Sequence, residues 1–230
     1  MIGNDLTIYS EYADEWWIPG APRFRSLQNL TPFRLSLIRE HIGEVKSLRI
    51  LDVGCGGGLV AIPLLNEGAE VVGCDISRES IAAATRAADG RGEFLTCDAR
   101  KMPFSDESFD HVLLMDLVDH IPDYSRALTE AARIVKPGGK VFVGTINRTF
   151  SSRLFAIILG EGLRLIPKGT HSYTLFIKPD ELIEAASRVG LSVFSRQGER
   201  IQFLATLTKW AISMRRGRSE SVAYSVVFIK

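Results

Sequence analysis

A chain of 230 residues can bury a sizeable core without disulfide staples, since a domain of this size hides roughly 70% of its unfolded surface. Hydrophobic residues make up 46% and charged residues 24%, which excludes a disordered chain. A formal charge of +1 and a pI near 7.7 exclude a dedicated nucleic-acid binder.

Three cysteines, Cys55, Cys74 and Cys97, are too few and too oddly numbered for a disulfide framework. With no basic-then-apolar leader, they predict a reducing, cytoplasmic setting. The apolar run 154–159 is far short of the roughly 18 residues that span a bilayer, so a membrane could be touched but not crossed.

Along the chain, Pro19, Gly20 and Pro22 argue against a helix in residues 1–30. Helical spacing begins around Leu35, Ile38 and Ile42 and ends near Gly43. Short apolar runs then alternate with amphipathic stretches. Strands are predicted at 48–53, 70–74, 92–97, 109–115 and 140–145, and helices at 60–67, 78–88 and 124–135. Pro137-Gly138-Gly139 predicts a sharp turn before the fifth strand. A helix at 179–189 and late strands near 191–195 and 224–229 complete the chain.

Strands separated by helices imply βαβ units with right-handed crossovers, hence an open, doubly wound, mostly parallel α/β sheet. The expected division is an N-terminal helical cap at 1–47, a cofactor-binding core at 48–148, an inserted segment at 149–177, and a C-terminal part at 178–230 that completes the sheet.

The strongest local signal is Leu51-Asp52-Val53-Gly54-Cys55-Gly56-Gly57-Gly58, a glycine-rich loop between a strand and a helix. Glycine allows both positive φ and close approach of a ligand to bare backbone. The nicotinamide fingerprint wants its third glycine where Leu59 stands, so dinucleotide binding is disfavoured. Asp75 follows the second strand, about 20 residues beyond the loop, where an acid takes ribose hydroxyls. Asp98 follows the third strand. Ligands in such sheets bind beyond the carboxyl ends of the strands, so these positions converge on one crevice.

The set Asp52–Gly58, Asp75, Asp98 and Val135-Lys136-Pro137-Gly138-Gly139 resembles the class I S-adenosylmethionine-dependent methyltransferases. The resemblance implies that Asp52 lies near the methionine end, with Gly54 and Gly56 against the cofactor. Asp75 would take the ribose diol and Asp98 the adenine edge, with Cys55, Ile76 and Ala99 beside them.

Further segments narrow the match: Trp16-Trp17, Leu30-Thr31-Pro32-Phe33-Arg34-Leu35, Thr145-Ile146-Asn147-Arg148, Ile166-Pro167-Lys168-Gly169-Thr170-His171 and Phe176-Ile177-Lys178-Pro179. Together they resemble the ubiquinone-biosynthesis O-methyltransferases. That resemblance places Arg34 on the cofactor carboxylate, where a guanidinium can pair in bidentate fashion, and Met115 near the adenosine. The chain departs from the family at Ile18, Gln28 and Thr31. At Asp116 and Asp119 it carries aspartates where the family carries glutamates.

Met115-Asp116-Leu117-Val118-Asp119-His120 follows the fourth strand at the catalytic edge. Two readings stand side by side. His120 could accept the acceptor's proton, its ordinary pKa near 6.5 suiting a base at neutral pH. Alternatively Asp116, Asp119 and His120 could hold a divalent cation such as magnesium, as the resembled family does. Asp116 and His171 are further catalytic candidates, whereas His41 and His111 have no such context.

In the inserted segment, Leu154, Phe155, Ile157, Ile158 and Leu159 lie beside Arg153, with Arg164 and Lys168 further on. An apolar stretch with flanking cations suits a peripheral membrane contact through 150–170, a lid over the site, or a contact between copies. Phe203, Leu204, Leu207 and Trp210, before Met214-Arg215-Arg216-Gly217-Arg218, form a second stretch of that kind.

The expected function is O-methylation of a small aromatic, a polyprenylated catechol or quinol, using S-adenosylmethionine. Methylation of another small acceptor, or a non-catalytic cofactor-binding module, are the alternatives.

Overall fold

The apolar runs become β1 (Arg49–Val53), β2 (Glu70–Asp75), β3 (Glu93–Thr96), β4 (Phe109–Met115) and β5 (Val135–Ile146). Neighbours among these five pair in parallel. β6 (Ser192–Ile201), β7 (Met214–Gly217) and β8 (Ala223–Ile229) join by antiparallel pairing. The structure is a computed structural model that describes Asn4 and residues 6–230. Among these residues the eight strands form one sheet in the order β3-β2-β1-β4-β5-β8-β6-β7.

The central strands read as unbroken apolar runs because helices cover both faces. Successive side chains of a strand point to opposite faces. Leu51 and Val53 of β1 therefore pack with Ala127, Leu128 and Ala131 of α5 (Tyr124–Ile134) and with Leu182 and Ala186 of α7 (Pro179–Arg188). Ile50 points the other way, into a cluster with Leu35 and Ile38 of α2 (Arg25–Ile42) and Leu64 of α3 (Ala61–Asn66). α4 (Arg78–Ala87) is capped by Ser77, whose hydroxyl accepts the Ser80 N–H at 3.1 Å.

Four local expectations change. Helix forms inside residues 1–30, as α1 (Thr7–Glu11) and as the start of α2. The breakers Pro19, Gly20 and Pro22 lie between those two helices, and Pro32 sits inside α2 without ending it. The Pro137-Gly138-Gly139 turn is an irregularity within a continuous β5, where Phe109 opposes Val135 but His111 opposes Lys140. A Cβ at Gly139 would stand 2.5 Å from the Asp110 carbonyl oxygen, so only glycine lets β5 pass β4 there.

The inserted segment begins with α6 (Phe150–Ser152), which widens into a π-helical stretch, Arg153–Glu161. Finally, the second apolar-then-basic stretch divides into α8 (Phe203–Lys209) and β7, turning at Trp210 in the left-handed region, φ 48°. No described helix is long and apolar enough to cross a membrane.

Candidate active site

One cavity of about 500 Å³ opens at the carboxyl ends of the parallel strands, and every candidate site residue of the sequence analysis lines it. At one end the loop after β1 turns back under β2. Asp75, at the end of β2, draws that loop in: its carboxylate accepts the Gly56 N–H at 2.9 Å and the Ser77 N–H at 2.8 Å. Burial raises its pKa, and those N–H groups partly oppose the rise.

Asp52, 3% exposed, has no cation beside it, and Oδ2 lacks a hydrogen-bond partner among the described residues. Burial, reinforced by Asp75, pushes its carboxyl up to about 7 against the pull of the Ala61 N–H. Asp98 lies further out, and the Arg100 guanidinium, 2.7 Å away, holds it below the usual carboxylate range. Ile76, 66% exposed, leaves an apolar face at the mouth. Gly144 of β5 leaves room for Met115 and Arg34, since a Cβ there would stand 2.8 Å from Met115 Cε.

The N-terminal segment closes this end. Trp16 lies flat on the glycine loop, so close that a Cβ on Gly57 would come within 2.3 Å of Trp16 Cγ. Its Nε1 donates to Ser80 Oγ at 3.1 Å, and Trp17 Nε1 donates to the Gly57 carbonyl at 2.8 Å. Trp16 stacks on Phe24 with centroids 4.1 Å apart and on Tyr9 at 5.9 Å. The bare backbone at Gly56 and Gly57 thus serves this aromatic cap as well as any ligand.

At the other end, strand β4 stops at Met115, and Asp116 takes a left-handed φ of 54°. That bend turns Asp116 back onto Arg34 of α2, which is 3% exposed. Arg34 Nε donates to Asp116 Oδ2 at 2.9 Å and Nη2 to Oδ1 at 2.5 Å, while Nη1 donates to Glu199 Oε1 at 2.5 Å. Ser225 Oγ donates to the same Glu199 oxygen. Burial works against the Arg34 cation, but the two carboxylates outweigh it and push its pKa further up.

Asp119, 1% exposed, accepts the Thr145 hydroxyl at 2.9 Å. His120 Nε2 is 4.0 Å from Asp119 Oδ2, and Asn4 Nδ2 lies 2.6 Å from His120 Nδ1. Burial lowers the His120 pKa in spite of Asp119, so the ring is neutral in neutral solution. His171 faces His120 with ring centroids 5.3 Å apart. Glu161 stands behind His171, held below the usual carboxylate range because His171 and two backbone N–H groups outweigh its burial.

The expected metal set was Asp116, Asp119 and His120. Asp116 is instead taken into the Arg34 fork, and the donors that gather are Asp119, His120 and His171, each offering one ligand atom within 4.8 Å of the others. Arg34, expected on the cofactor carboxylate, here spends three of its donors on Asp116 and Glu199. The sequence reading passed over Asn4, Gly144, Glu161 and Glu199. Glu161 alone carried a signal, as the single acid in the apolar stretch 154–163.

The profile of a family described as "Methyltransferase domain" matches residues 51–143. A ubiquinone biosynthesis O-methyltransferase of Sinorhizobium fredii is 37% identical over 91% of this chain and 90% of its own length. One from Agrobacterium fabrum is 37% identical over 85% and 84%. Among solved structures, magnesium protoporphyrin IX methyltransferase of Synechocystis superposes with a TM-score of 0.69 at 18% identity, covering 97% of this chain and 96% of that one. A SAM-dependent methyltransferase of Thermotoga maritima gives 0.66 at 21% identity, covering 97% and 98%. Fold, glycine loop and strand-end acids agree with these likenesses: the chain is a class I S-adenosylmethionine-dependent methyltransferase and belongs to the family of the ubiquinone biosynthesis O-methyltransferases.

Proposed function

We propose that the chain transfers the methyl group of S-adenosylmethionine to a hydroxyl of a small aromatic acceptor, a polyprenylated catechol or quinol of ubiquinone-type biosynthesis. One observation carries this reading. One cavity is lined by the glycine loop, by the polar groups Asp119, His120 and His171, and by apolar side chains that include Leu30, Phe155, Ile166, Ile212 and Met214. An aromatic diol with an apolar tail combines the same polar and apolar parts.

In this reading Asp75 takes the ribose diol and Asp98 the adenine edge, with Gly54, Cys55, Gly56, Ile76, Ala99 and Met115 packed along the cofactor. Asp52 faces its methionine end, where the ammonium and sulfonium charges favour the ionised carboxylate. Arg34 keeps Asp116 in place and borders the same end. Methyl transfer from a sulfonium is an in-line displacement, for which holding the acceptor oxygen against the methyl carbon can contribute about 7–11 kcal/mol. The acceptor's proton passes to an imidazole, for which the neutral state of His120 is suited.

Asp119, His120 and His171 also fit a divalent cation. One carboxylate and two imidazoles suit a borderline ion better than magnesium, which prefers oxygen ligands. Such an ion would lower the pKa of the acceptor hydroxyl and orient the diol.

Exposed apolar side chains support access from a membrane. Phe150 is 77%, Ile158 55%, Phe203 61% and Leu204 77% exposed, and Arg153, Arg164 and Lys168 flank the first pair. An apolar surface edged by cations suits anionic lipid. Vesicle flotation checks this: binding to anionic vesicles is expected, and its absence removes the membrane contact.

The activity is tested by transfer of labelled methyl from S-adenosylmethionine to a panel of catechols, amines and carboxylates. Turnover confined to catechols is expected. Turnover of amines or carboxylates alone overturns the acceptor assignment. Unchanged rates after exhaustive chelation, with no metal recovered from the protein, remove the cation.

A further inference from the structure

Glu161, 7% exposed and absent from the cavity wall, is a buried acid at the end of a π-helical stretch whose residues 154–160 are apolar. Burying a carboxylate is costly unless it is paired and hydrogen-bonded. Its Oε2 accepts the Gly169 N–H at 2.7 Å and its Oε1 the His171 N–H at 3.0 Å, which fastens the Pro-Lys-Gly-Thr-His loop. A third contact goes beyond loop closure: Oε1 stands 3.4 Å from His171 Nδ1. That nitrogen is buried and makes no hydrogen bond among the described residues, so the carboxylate is positioned to serve it.

The widened helix is what brings the acid there. π-Helical turns are rare and recur at functional sites. In this one Leu165 and Ile166 both donate to the Gly160 carbonyl, folding the following chain back across Glu161. A Cβ on Gly162 would stand 2.2 Å from the Ile158 carbonyl oxygen, so the turn after Glu161 is closed backbone on backbone.

We propose that Glu161 is a positioning residue that holds His171 from outside the cavity, keeping the ring proton on Nδ1 so that Nε2 presents its lone pair to the acceptor end. The 3.4 Å separation is long for a hydrogen bond, and contacts of this kind tighten when the site is filled. Carboxylate partners of this sort fix both the tautomer and the orientation of working histidines. The inference rests on the reading that His171 serves the acceptor, yet its first test needs no acceptor.

That test is imidazole NMR of the full chain with isotope-labelled histidine, the His171 signal being assigned by its loss in His171→Gln. A neutral ring protonated at Nδ1 is expected in the wild type, and loss of that preference in Glu161→Ala. A wild-type ring protonated at Nε2 overturns the proposal whether or not the variant folds. With protocatechuate as acceptor, kcat in Glu161→Ala is expected to fall about 10- to 100-fold, with affinity for S-adenosylhomocysteine unchanged. Equal kcat in the two proteins also overturns it. Should no catechol be methylated at all, the proposed acceptor fails while the NMR result still decides the role of Glu161.

Discussion

Asp52→Asn isolates the electrostatic state of the cavity beside the glycine loop. The carboxyl is 3% exposed, Asp75 is its charged neighbour, and it titrates near 7 in the folded protein against about 3.9 in an unfolded chain. An acid whose folded pKa lies above its unfolded one makes the folded state bind the extra proton between those values. Its contribution to stability is therefore fully present below about pH 4 and is lost as pH rises towards 7.

The slope is about 1.4 kcal/mol per pH unit, about 4 kcal/mol in all, of which about 2.5 kcal/mol falls between pH 5 and 8. Asparagine keeps the shape and carries no charge, so this pH dependence disappears. Urea denaturation of both proteins at several pH values measures the difference directly. The wild type is expected to lose about 2.5 kcal/mol relative to the variant over that interval, equivalent to roughly 5–10 °C in Tm. Parallel stability curves would refute a raised Asp52 pKa. The same variant is expected to bind S-adenosylmethionine more weakly, because the cation's partner is gone, even where its apo form is the more stable.

Two further outcomes follow from the packing. Gly57→Ala places a Cβ 2.3 Å from Trp16 Cγ, so the aromatic cap must lift; about 1–3 kcal/mol of stability and a measurable part of S-adenosylhomocysteine affinity should be lost, and calorimetry giving wild-type affinity would refute the role of the cap. Arg34→Met leaves Glu199, which is 0% exposed, without its cation and should cost about 3–5 kcal/mol in denaturation experiments. The double variant with Glu199→Gln should recover much of that loss, and strict additivity of the two changes would count against the buried pair.

How much of this was legible beforehand follows from which interactions are local. The five parallel strands and the helices between them were readable because burial on both faces writes continuous apolar runs into β1, β2 and β4. The glycine loop was readable because positive φ demands glycine at fixed places, as at Gly54 and Gly56. β7 was not, since Met214-Arg215-Arg216-Gly217 has no apolar alternation and exists only because β6 offers it an edge.

The end of the cavity at Asp116 and Asp119 depended on contacts between residues remote in the chain. Asp116 and Asp119 look alike in sequence, one turn apart after the same strand. Only the fold separates them, by bringing Arg34 from α2 and Glu199 from β6 to one and the two imidazoles to the other. Composition and periodicity thus determined the sheet, its crossovers and the place of the glycine loop, because those arise from patterns within a few residues. Tertiary structure decided which acid pairs with a cation and which joins the histidines, because charge pairing across a buried site depends on distance in space.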